Sequence, residues 1–199
     1  MTITTRPAPR PTTVPARRLA YPLALAALAV VVVLAWGVFR PGSDDRPEEV
    51  PEGATQNGWE GIEDSEDPRL VSFPWVTGQV RDGDVAVVLA HVAERFNAEV
   101  EPIDVASSWG WAYRPVRGHD EGLSNHASGT AIDLNAPLHP LGSSGTFTDD
   151  QVARLRAILD EVAPTVAWGG DFDRPDEMHI EIVGTPDEVA EVAARIAGA

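Results

Sequence analysis

The chain has 199 residues, enough for one ordinary domain with accessory segments, and 43% of them are hydrophobic, enough for a real core. It contains no Cys, which excludes disulfides, Cys-ligated zinc and thiol nucleophiles, so a metal would have to be held by His, Asp, Glu or backbone oxygen. The formal net charge is -16, every basic residue is an Arg, and all 31 acids lie from Asp44 onward; this excludes the basic face that a nucleic-acid binder needs.

Residues 1–19 are rich in Thr, Pro and Arg and read as a disordered cytoplasmic tail. Residues 20–39 carry no charge over a length that spans a bilayer as a helix, with Tyr21 and Trp36 near the two interfaces. Arg6, Arg10, Arg17 and Arg18 precede this run and the acids follow it, so the expected orientation is N-terminus inside and the remainder extracytoplasmic. The run is long for a cleaved signal peptide and no small-x-small site follows it, which favours a retained anchor in the cell membrane. Residues 40–58, rich in Pro, Gly, Asp and Glu, read as an extended acidic linker. The folded domain is expected over 59–199, acting as a monomer.

Within it, Asp84 is placed to cap a helix whose apolar face is Val85, Val88, Leu89, Val92 and Phe96. Residues 99–107 alternate weakly, as a strand would, and are followed by the aromatic stretch Trp109 to Pro115. After Gly129, Ala131, Asp133 and Asn135 share one face of a predicted strand and Ile132 and Leu134 the other. Residues 137–146 are loop; Thr148 with Gln151 then forms a capping box for a helix carrying Val152, Leu155, Ile158, Leu159 and Val162. A short strand is expected at Val166 to Trp168, and another where Met178, Ile180 and Ile182 alternate with His179 and Glu181. Thr185, Pro186 and Glu188 start the last helix. This order is not the alternation of a doubly wound sheet; it predicts α+β, a small antiparallel sheet flanked by helices and preceded by one transmembrane helix.

Two strands thus show polar faces, one with Asp133 and one with His179. If they are neighbours and Gly129 turns His126 back toward them, two imidazoles and a carboxylate converge, leaving one position of a tetrahedral zinc for water. A bulky residue at Gly129 is then expected to weaken zinc binding with every ligand in place. Asp176, Glu177 and Glu181 surround His179 as candidate bases, and Trp168 with the Gly169–Gly170 pair is placed to wall the pocket. Ordinary surface strands show the same alternation, so the spacing alone leaves both readings open.

The run Ser124-x-His126 to Asp133, then Asp176-x-x-His179-x-Glu181, together with Tyr113-Arg114-Pro115 and the Trp-Gly-Gly-Asp run at Trp168 to Asp171, resembles the M15 family of zinc peptidases over about residues 70–183. That family includes D-alanyl-D-alanine carboxypeptidases, D-Ala-D-Ala dipeptidases and L-alanyl-D-glutamate endopeptidases. The resemblance implies the DD-peptidase/Hedgehog-like fold, zinc held by His126, Asp133 and His179, and Asp176 as general base. It implies Arg114 as the oxyanion-stabilising and substrate-binding cation. Ser124, Tyr113, Glu181 and Trp168 are expected as substrate-binding or ligand-orienting neighbours. An Asp at position 176 resembles the endopeptidase branch more than the dipeptidase branch. The implied activity is zinc-dependent hydrolysis of peptidoglycan stem peptides; the competing expectation is a non-catalytic, zinc-stabilised peptidoglycan-binding module.

Overall fold

The computed structural model describes residues 52–117 and 122–198, and among these described residues the chain forms two short antiparallel sheets and three α-helices. The expected tail, the span at 20–39 and most of the linker lie outside the described residues. Among the described residues no helix is long and apolar enough to cross a membrane.

A hairpin comes first, with β1 (Leu70–Ser72) pairing β2 (Gln79–Arg81). Neither strand was expected from the sequence. Helix α1 (Asp84–Glu99) follows and buries Val85, Val88, Leu89, Val92, Ala93 and Phe96, the expected stripe with Ala93 added. Its N-cap is Gly83 rather than Asp84; Asp84 sits in the first turn, where its charge favours the helix dipole. His91 of this helix is hydrogen-bonded to Glu161. The strand expected over 99–107 does not form: Asp104 accepts from the Ala106 N–H and starts a 3-10 turn at Val105–Ser107 instead. A local side-chain cap has displaced the ladder there.

The central sheet has the order β3-β5-β4, all antiparallel, with β3 at Ala131–Asp133, β4 at Val166–Trp168 and β5 at His179–Ile182. One face carries Ile132, Ile180 and Ile182 into the core, against α1, α2 (Asp149–Val162) and α3 (Pro186–Ala197). Burial of each such side chain stabilises by about 1.5–3 kcal/mol. Both expected capping boxes are present, Thr148 with Gln151 and Thr185 with Glu188. Asn135 is not on the strand face. It has a left-handed φ of 49°, and its amide turns inward to Glu101 and the Asp104 N–H.

The domain also begins earlier than residue 59. Ala54 bridges to Glu60, Thr55 bridges to Leu123, and Thr55 is fully buried. The composition reads as linker because hydrogen bonds rather than large apolar side chains hold residues 54–58 in place.

Gly129 ends the 3-10 turn Asn125–Ser128 with φ 72°. A Cβ there would lie 2.6 Å from the Arg81 backbone nitrogen and 3.0 Å from Leu70 Cδ2. Gly129→Ala is expected to cost about 2 kcal/mol or more, since the left-handed conformation alone costs about 1–2 kcal/mol for an L-residue. A denaturation midpoint equal to that of the unaltered protein would contradict this.

Candidate metal centre and active site

The register of the central sheet sets Asp133 directly opposite His179. Opposed residues of an antiparallel pair share a face, and Asp133 Oδ1 lies 2.8 Å from His179 Nδ1. His126 reaches the same oxygen from the 3-10 turn, with Nε2 at 3.1 Å. The three ligand atoms lie within 4.8 Å of one another and all three residues are buried.

Partners on the far side set the chemistry of each imidazole. His126 Nδ1 is 2.7 Å from the Gly110 carbonyl, which can only accept, so Nδ1 carries the proton and Nε2 presents its lone pair inward. His179 Nε2 is 2.8 Å from Glu181 Oε2, which leaves Nδ1 facing Asp133. The other oxygen of Asp133 accepts from Trp109 Nε1 at 2.7 Å. Every ligand therefore has an orienting partner, the arrangement that fixes metal-binding imidazoles and carboxylates. Two lone pairs and a carboxylate oxygen converging in a buried space fit a divalent cation with N and O ligands, zinc among them. Sequence reasoning noticed Glu181 but not Gly110 or Trp109. An indole N–H beside a buried carboxylate was the available signal, since buried Trp needs an acceptor.

A proton competes for the same place. Burial opposes charge on His179, but its hydrogen bonds to Asp133 and Glu181 raise its pKa to about 10. Burial likewise works against the Asp133 charge, yet the two imidazoles hold its carboxyl well below the usual range. A cation must displace the His179 proton at any pH below that value. Metal affinity is therefore expected to rise about tenfold per pH unit between about pH 6 and 8, one proton leaving per ion. Competition with a chromophoric chelator measures it, and a flat profile would contradict it.

A cleft of about 630 Å³ opens over these atoms. Asp176 and Arg114 line it, and Ser124 contributes at its edge. Asp176 Oδ1 is the one buried side-chain polar atom among the described residues with no hydrogen-bond partner. Burial first, and then the Asp133 charge, raise the Asp176 carboxyl above its ordinary value. The two other candidate bases are engaged. Glu177 accepts from the Gly145 and Thr146 N–H groups at 2.7 and 2.8 Å, and Glu181 is held by His179 and Asn125. Gly169 lets Asp176 sit where it does: a Cβ at Gly169 would overlap the Asp176 carbonyl oxygen.

Burial lowers the Arg114 pKa, and the charge of Arg117 adds to that. Ser124 caps the 3-10 turn, its Oγ accepting from the His126 N–H at 3.4 Å. Two expected neighbours lie elsewhere. Tyr113 is exposed and does not line the cleft, because adjacent residues of an extended segment point to opposite sides and Arg114 takes the inward one. Trp168 is a core residue, its Nε1 donating to the Glu177 carbonyl at 2.8 Å and its ring meeting Phe147. It supports the segment before His179 from beneath rather than walling the cleft. His139 is buried, stacked on Phe147.

Fold and centre together define a small α+β domain built around a His/Asp/His set of metal-ligand atoms with an acid beside it. Residues 117–182 match the family model described as D-alanyl-D-alanine carboxypeptidase. The match agrees with the resemblance to the M15 family read from the motifs, over the segment that carries the site. It includes His126, Asp133, Asp176 and His179 and stops short of Arg114. No curated protein and no solved structure matches the chain.

Proposed function

We propose that the protein is a zinc peptidase that hydrolyses an amide bond in peptidoglycan stem peptides, of the L-Ala-D-Glu or D-Ala-D-Ala type, while anchored in the cell membrane by residues 20–39. The observation that carries the reading is the unpartnered Asp176 oxygen in the same cleft as three convergent ligand atoms. A structural metal site has no use for a buried acid left without a hydrogen bond, whereas a general base requires an oxygen free to take a proton.

His126, Asp133 and His179 would hold the ion. When bound, zinc would supply Lewis acidity there, for a carbonyl oxygen and for water. Asp176 Oδ1 takes the proton of the attacking water and returns it to the leaving amine nitrogen. Arg114 offers a guanidinium to the oxygen on which negative charge develops. Its partial burial strengthens that interaction. Arg117 and Arg174 line the same cleft and have no carboxylate partner among the described residues. In so acidic a domain, three arginines at one cleft favour a substrate bearing free carboxylates, as stem peptides do. The uncharged run at 20–39, between arginines and acids, supports placing the domain on the extracytoplasmic side.

The test is incubation of the zinc-loaded full chain with synthetic stem peptides, read by mass spectrometry. Loss of a terminal D-Ala identifies a carboxypeptidase, and a new D-Glu amine terminus identifies an endopeptidase. Peptides that bind to a zinc-loaded protein and return intact would replace this reading by that of a binding module.

A further inference from the structure

We propose that residues 53–60 form a strap that clamps together the two segments carrying His126 and His179, with Asn57 and Asn125 as positioning residues for the metal centre. The inference rests on the metal-site reading above and assigns part of that site to a stretch whose composition reads as linker.

The strap closes on itself through the Ala54–Glu60 bridge and the Gly61 N–H, which donates to the Gly53 carbonyl at 2.9 Å. It lies along the 3-10 turn, where Thr55 is buried and donates to Ser128 Oγ at 3.1 Å. Asn57 then reaches both ligand-bearing segments. Its Nδ2 is 2.8 Å from Thr130 Oγ1, just past the turn that holds His126, and 2.8 Å from the Ile182 carbonyl, at the end of the strand that holds His179. An amide has two N–H donors, so both bonds form at once.

A second path leads from the strap to the centre itself. The Asn57 backbone N–H donates to Asn125 Oδ1 at 3.0 Å. A backbone N–H can only donate, so the Asn125 amide has one orientation, with Nδ2 toward Glu181. That bond is 2.6 Å long, to Glu181 Oε2, and the same oxygen accepts from His179 Nε2 at 2.8 Å. The strap thus fixes an amide, the amide fixes a carboxylate, and the carboxylate fixes the ligand imidazole. Gln56 and Asn57 also line the cleft, so the strap is one of its walls. Trp59 packs the far end of the strap against the core, while Asn57 directs its bonds to the two ligand-bearing segments.

Two variants of the full chain test this. Asn57→Ala removes both clamp bonds. Asn125→Asp keeps the acceptor for the Asn57 N–H and replaces the donor facing Glu181 by a second acceptor. Zinc affinity, by chelator competition, is expected to fall 10–100-fold in each, the loss typical when a ligand's orienting partner is removed. The absorption bands of the Co²⁺-loaded variants are expected to shift, because His179 is no longer held at one angle. Metal affinity and cobalt spectrum both equal to those of the unaltered protein would overturn the proposal. So would a lower melting temperature with both unaltered, since that is what a merely structural strap would produce. If Asn125→Asp does not fold, Asn57→Ala, on a half-buried side chain, decides the matter. An unaltered chain that binds neither Zn²⁺ nor Co²⁺ would overturn the metal-site reading and this inference together. Binding in the unaltered chain with no change in the variants would overturn the strap alone.

Discussion

Replacing Asp176 by Asn is expected to lower turnover of the stem peptide by on the order of 10²–10⁴-fold while zinc content stays at that of the unaltered protein. The side chain keeps its shape, and Asp176 is outside the ligand set, so the ion has no reason to leave. What is lost is an oxygen able to accept a proton. Asp176 Oδ1 is buried and unpartnered, whereas Glu177 is tied to the Gly145 and Thr146 amides and Glu181 to His179 and Asn125. KM should change little, because the lost interaction belongs to the transition state. Steady-state kinetics with metal analysis on the same sample checks this. Undiminished turnover would remove Asp176 from the base role, and a metal-free variant would make it a ligand.

The second large effect is expected at the ligands. His179→Ala should lower zinc affinity by more than about 100-fold, beyond the loss of an orienting partner, and abolish turnover with it. The same change strips Asp133 of a partner it contacts at 2.8 Å in a fully buried place. Removing one member of a buried charge pair costs about 3–5 kcal/mol, so the variant should also melt earlier. His126→Ala removes the other contact to the same oxygen and should behave alike. Metal analysis after gel filtration and a thermal melt measure both parts. Turnover by a metal-free sample of either variant would end the metallopeptidase reading.

Which parts were legible in the sequence follows from how local each signal is. The capping boxes at Thr148 and Thr185 involve residues three apart, and both are present as expected. The alternation of Met178 to Ile182 needed only the pleat, and Ile180 and Ile182 are in the core with His179 on the other side. Gly129 was read as a turn, and its left-handed backbone brings His126 back to Asp133. Signals that depend on a distant partner were missed or misplaced. Trp168 looked like a pocket wall and is core, because only packing against Phe147 and the Glu177 carbonyl decides where its ring goes. Asn135 continued the strand pattern but turns inward because Glu101 and Asp104 supply its partners from more than thirty positions away.

The sequence by itself determined the donor types, the local turn and the strand faces: with no Cys, a metal would have to be held by His, Asp, Glu or backbone oxygen, and the motifs pointed to residues 126, 133 and 179. Only the tertiary structure decided that Asp133 stands opposite His179, that Asp176 alone among three neighbouring acids is free, and that residues 53–60 belong to the site. The physical reason is the same in each case. Periodicity and capping are written within a few residues, while strand register and the ownership of hydrogen bonds are settled between segments that the chain brings together only on folding.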